Sequence, residues 1–138
     1  GYFDYTNIKL ELRPTAARFE GGSQNMLGFH GLGASLDLLA ECGLAYNTSP
    51  VADSVLHIAA HCAEELEKNG ATIFSPRDDS VCSGIVSFEM PGRDANELRK
   101  IALANNVALA CRDGRLRVSP HAYNNEEDVE RLIGVLRS

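Results

Sequence analysis

The sequence predicts an α+β fold: a small, mainly antiparallel sheet with helices packed on one face, preceded by an extended arm and a linker helix. Three observations carry this. From residue 70 onward the runs read strand, strand, helix, strand, strand, helix, with turn signals between them. Two longer stretches of helical period precede that block, at Met26–Cys42 and Pro50–Lys68. The chain has 138 residues, 44% of them hydrophobic, which suffices for one real core.

Each element has its own justification. In "IKLELR", Ile8–Arg13, apolar and polar residues alternate, which predicts a short half-buried strand or arm stopped by Pro14. "RFEGGSQN", Arg18–Asn25, predicts a turn. In the helix that follows, Leu27, Leu32, Leu36 and Leu39 fall toward one side, and Gly43 is the expected C-cap. Gly28, Gly31 and Gly33 crowd its first half, at about 1 kcal/mol each relative to alanine, so close packing is expected there. Ser49 caps the next helix with Pro50 at its first position, and Val51, Val55, Ile58, Cys62 and Leu66 form its apolar stripe. "ATIFS" and "GIVSFEM" are strands, the second stopped by Pro91-Gly92. Asp94 caps a helix to about Asn105, with Glu97 placed for a capping box. "VALAC" and "RLRVS" are strands joined through Asp113-Gly114, a hairpin signal. Asn125 caps the last helix, whose first turn is acidic and whose end carries Arg137.

Composition narrows the function classes. A formal net charge of −6 argues against nucleic acid or an anionic membrane surface held by bulk charge. No 18-residue apolar run is present. Cys42, Cys62, Cys82 and Cys111 are spaced by 20, 20 and 29 residues, without a C-x-x-C pair, so a zinc ribbon is not expected. A reduced, cytoplasmic setting is expected from this cysteine usage. The sequence begins at Gly1 and has its first methionine at Met26, so it is expected to be part of something longer.

Several motifs invite chemistry. His57 and His61 share a helix face near Glu64 and Glu65, but Ile58 stands where a zincin needs its glutamate; no metal is expected. Gly31-x-Gly33-x-x-Leu36 lacks the last glycine of a dinucleotide fingerprint and follows no buried strand. Each cysteine reads more simply as core than as nucleophile; Cys111, beside Arg112, is the least ordinary of them. Arg115 and Arg117, two apart on a strand, point to one side, and a guanidinium suits a carboxylate or phosphate. Gly22 and Ser23 offer a flexible turn and a hydroxyl at a helix start, a setting for phosphate.

Three stretches together resemble one family. "ARFEGGSQNMLGFHGLGASLDLL" resembles the segment of fold-type I, class V pyridoxal-phosphate enzymes that reads arginine-phenylalanine-glutamate, then glycine-threonine, asparagine and a glycine-rich helix. "GIVSFEMPG" resembles the family's central small-domain strand, and "GRLRVSPHAYNNEEDVERLIGVL" its final strand and helix. The resemblance covers nearly the whole chain in order and spacing. It implies that Gly22 and Ser23, where the family has glycine-threonine, reach the cofactor phosphate of the other subunit in a homodimer. It implies that Arg117 receives the α-carboxylate of an amino-acid substrate. Asn25, Arg115 and His121 are further candidates in the same motifs; Arg18 and Glu20 are expected to hold the loop.

Two departures qualify the resemblance. The lysine that bonds the cofactor lies upstream of these motifs in the family, and Lys9, Lys68 and Lys100 match no such motif. The chain is therefore expected to be the C-terminal part of an enzyme and not catalytic alone. The family's cysteine desulfurases carry a sulfur-accepting cysteine on a loop before the carboxylate arginine. Here "RDGRL" alone separates Cys111 from Arg117, which disfavours desulfuration and favours a transaminase or an isopenicillin-N-epimerase-like enzyme. Residues 1–47 are expected on the large-domain and dimer-interface side, and residues 48–138 as the small domain. The rival expectation is a stand-alone α+β module that binds a small anion or a protein partner.

Overall fold

A computed structural model of the chain describes residues 12–46, 49–78 and 80–138. The expected arm at Ile8–Arg13 lies mostly outside them. The chain divides into two units, one ending at Leu38 and one running from Leu39 to Ser138.

In the first unit, Ala16–Phe19 form a single 3₁₀ turn that overlaps the start of the turn expected at Arg18–Asn25. Arg18 ties it down, donating from Nε to Thr15 O at 3.2 Å and from Nη2 to Pro14 O at 3.0 Å. Helix α1, Met26–Glu41, follows. Asn25 is its N-cap: its Oδ1 accepts from Gly28 N–H at 2.9 Å. A Cβ at Gly28 would stand 2.5 Å from Asn25 Nδ2, so that glycine makes room for the cap itself. Gly31 and Gly33 have nothing within 4 Å of such a Cβ, so the close packing expected of them is not found among the described residues. No residue of α1 is buried; Leu27 is 87% exposed and Leu32 56%.

The second unit is built from three helices and one sheet. Helix α2, Pro50–Lys68, starts at Ser49, whose hydroxyl accepts from Ala52 N–H at 3.1 Å. Its stripe sinks into the core: Val51, Ile58, Cys62 and Leu66 are buried. Strands β1 (Thr72–Ile73), β2 (Val86–Glu89), β3 (Ala110–Arg112) and β4 (Arg115–Val118) form an antiparallel sheet in the order β1-β2-β4-β3. Asp113 and Gly114 both take positive φ, 50° and 77°, as a two-residue primed turn requires. Helix α3, Ala95–Ala104, is capped by Asp94. Glu97, expected to close a capping box there, pairs with Lys100 at 2.7 Å. The reciprocal box forms on α4, Glu126–Arg137, between Asn125 and Asp128.

Strand alternation decides which face is which. Val86, Phe88, Leu116 and Val118 point to one side and are buried with Leu66, Leu98 and Leu136 from the three helices. Ser87, Glu89, Arg115 and Arg117 point to the other side, which no helix of this unit covers.

Candidate functional site

The turn before α1 places Gly22 at φ +81°, a conformation that favours glycine. Ser23 follows, exposed, and its hydroxyl has no hydrogen-bond partner among the described residues. Asn25 secures the helix start three residues beyond Gly22. The arrangement is an open backbone turn, a free hydroxyl and a helix N-terminus in sequence, which suits an anion.

The second unit holds the arginines. Arg117 lies on β4 between Ser87 of β2 and Ala110 of β3. It is half-buried on the open face, and its Nε is fully buried without a hydrogen-bond partner. A buried donor left unmade costs about 1–3 kcal/mol, so an unpaired one calls for an explanation. Its terminal nitrogens are not buried in this way, and a carboxylate arriving from outside would meet the guanidinium there.

Arg115 is held differently. Its Nε donates to Glu89 Oε1 at 3.1 Å, and its guanidinium lies over the Phe74 ring, 3.7 Å from the centroid. The sequence marked Arg115 but missed these two partners, because nothing in it sets the β2–β4 register. His121 sits just past β4, stacked on Tyr123 at 5.0 Å, with its Nδ1 buried and unpartnered. Its backbone N–H donates to Asn124 Oδ1 at 2.9 Å, and Asn124 Nδ2 donates to Asp128 Oδ2 at 2.9 Å, so this loop is tied to the start of α4. The structure thus gathers Arg115 and Arg117 on one face. Gly22, Ser23 and Asn25 belong to the other unit.

The cysteines divide by position. None of the four is in a disulfide. Cys111 pairs with Leu116, so it shares the core-facing side of the sheet, opposite Arg117. Burial pushes the Cys62 thiol from 9.0 up to about 11. Cys62 floors a concavity of about 310 Å³ beside Val107, Ser119, Asn124 and Arg131. A second, shallower one of about 390 Å³ lies between His57 and the start of α4. Neither includes Arg117. Among the described residues, no group of three His, Cys, Asp or Glu is placed to hold a metal.

Lys68 and Lys100 bond Glu65 and Glu97, each at 2.7 Å, and those hydrogen bonds hold both ammonium groups above their ordinary range. An amine used as a nucleophile needs the opposite shift.

Comparison with known proteins gives one consistent answer. The family described as "Aminotransferase class-V" matches residues 4–132. A probable cysteine desulfurase of Xylella fastidiosa (strain 9a5c) is 28% identical, over 86% of this chain and 30% of its own length. A cysteine desulfurase of Yersinia pestis (strain Pestoides F) is 27% identical, over 87% of this chain and 31% of its own. The apo structure of a cysteine desulfurase from Thermococcus onnurineus NA1 superposes with a TM-score of 0.74 at 24% identity, covering 91% of this chain and 34% of that one. The cysteine desulfurase CsdA from Escherichia coli gives 0.69 at 23%, covering 86% and 31%. The chain therefore spans about a third of the length of the relatives it matches.

Proposed function

The chain belongs to the class-V aminotransferase family, whose enzymes carry pyridoxal phosphate, and from that premise we propose that it is the substrate- and phosphate-gripping portion of such an enzyme acting on an amino acid. The cofactor, when bound, supplies an electron sink for the bonds at the amino acid's Cα. This chain supplies grips. Gly22 and Ser23 fit the cofactor phosphate, the first through its open backbone and the second through its unpartnered hydroxyl. Asn25 holds the turn by capping α1.

The observation that carries the reading is Arg117, half-buried on the sheet face away from the helices, with its Nε unpartnered and its terminal nitrogens outside the buried set. A guanidinium anchored on a strand receives the α-carboxylate in two-point fashion and fixes which Cα bond is broken, and positioning of this kind is worth much of a rate enhancement. Lys68 and Lys100 are exposed side chains engaged by glutamates, which favours a cofactor-bonding lysine from elsewhere in the enzyme. The exposure of α1, apolar almost all round, supports a larger protein in which that helix is covered. We place residues 1–47 with its large domain and dimer interface, and residues 48–138 as its small domain.

The named relatives are cysteine desulfurases, yet the β3–β4 turn is only Asp113-Gly114 and Cys111 faces the core. Both features favour amino transfer or epimerisation over desulfuration. The test uses the full-length enzyme loaded with cofactor. Amino transfer to a 2-oxo acid, or loss of optical activity, is expected without sulfide release from L-cysteine. Sulfide release as the main turnover would overturn the assignment.

A further inference from the structure

The open face of the sheet carries a charge opposite to that of the whole chain. The chain has a formal net charge of −6, yet among the described strand residues this face presents Arg112, Arg115 and Arg117 against the one carboxylate of Glu89. Arg112 stands directly opposite Arg115 across the β3–β4 pair. Like charges in that position destabilise a sheet unless an anion offsets them. Glu89 takes only Nε of Arg115, and the Phe74 ring takes the guanidinium plane, so the two terminal nitrogens remain without a protein partner among the described residues. Glu89 and Arg115 are each 45% exposed, and an exposed pair of this kind contributes little, so it does not account for three arginines.

Arg115 and Arg117, two residues apart, stand about 6.8 Å apart along the strand. Phe74 N–H donates to Ser87 O at 2.8 Å, which puts Phe74 in the cross-strand row of Ser87 and Arg117, so the guanidinium over Phe74 leans toward that row. We infer that the amino-acid substrate carries a second acidic group on its side chain. Arg117 takes the α-carboxylate and the terminal nitrogens of Arg115 take the distal carboxylate, with Arg112 adding to the attractive field. The inference rests on the reading of Arg117 given above and adds the substrate class. An aspartate- or glutamate-length amino acid spans the two grips; a neutral side chain leaves Arg115 and Arg112 unanswered.

Calorimetric titration of the full-length, cofactor-loaded enzyme with glutarate and with butyrate tests it. Glutarate is expected to bind at least tenfold more tightly. Arg115→Gln is expected to erase that margin and leave butyrate affinity unchanged, while Arg115→Lys keeps part of it. Equal affinities in the unaltered enzyme, or a margin that survives Arg115→Gln, would overturn the inference; the first result needs no variant to fold. Arg117→Gln separates the two levels: it is expected to weaken both ligands. If butyrate still binds that variant normally, the carboxylate role of Arg117 falls, whatever glutarate does.

Discussion

Arg117 and Cys111 sit on paired neighbouring strands and face opposite sides of one sheet: Arg117 lies across from Ala110, and Cys111 from Leu116. A thiol on the core side cannot attack a substrate held by an arginine on the open side. Cys111→Ser in the full-length enzyme is therefore expected to leave kcat and KM within about twofold of the original. Loss of turnover with the fold intact would show a chemical role for this thiol.

Removing the charge of Arg117 should separate function from stability. Its buried Nε lacks a partner, and such a group costs about 1–3 kcal/mol in the folded state. Arg117→Met in the 138-residue chain is expected to hold or raise the unfolding free energy, by up to about 1 kcal/mol in urea titration. A marked loss of stability would mean that the guanidinium is a structural element of this unit.

Much of this was legible beforehand. The caps at Ser49, Asp94 and Asn125 and the Asp113-Gly114 turn all formed where their residue types indicated, because each is a local decision made within four residues. The face shared by Arg115 and Arg117 followed from strand period alone. What stayed hidden was non-local. Glu89 and Phe74 meet Arg115 only because β2 pairs with β4 in one register, and no turn links those two strands directly. Glu97 was expected to reach back to Asp94, yet Lys100 lies one turn ahead and offers an opposite charge. Gly31 and Gly33 signalled close packing that the described residues do not provide.

Gly84 is a steric requirement of the segment leading into β2. A Cβ there would stand 2.5 Å from Val55 Cγ1 on α2. Gly84→Ala is expected to cost about 1–3 kcal/mol of unfolding free energy, with Val55→Ala recovering a substantial part of it in the double variant. Additive losses in the double-mutant cycle would show that the two positions do not touch.

Cys62 makes stability fall in alkali. Its thiol titrates near 9.0 when exposed and at about 11 in the fold, so between those values the unfolded chain loses a proton that the folded chain keeps. The stabilisation is complete below pH 9 and is lost as pH rises through 11, by about 2–3 kcal/mol at most. Cys62→Ala should flatten that part of the pH–stability curve. An unchanged slope would show that Cys62 titrates normally.

The central claim is that one portion of this chain grips the cofactor phosphate and another grips the substrate carboxylate. The most direct measurement compares Ser23→Ala and Arg117→Gln in the full-length enzyme, reading cofactor retention by dialysis and absorbance alongside KM. Ser23→Ala is expected to weaken cofactor retention by roughly 10–100-fold, the value of a hydrogen bond to a charged acceptor, while KM changes little at saturating cofactor. Arg117→Gln is expected to raise KM by a similar factor with cofactor retention intact. Cofactor loss that follows Arg117→Gln and spares Ser23→Ala would contradict the account.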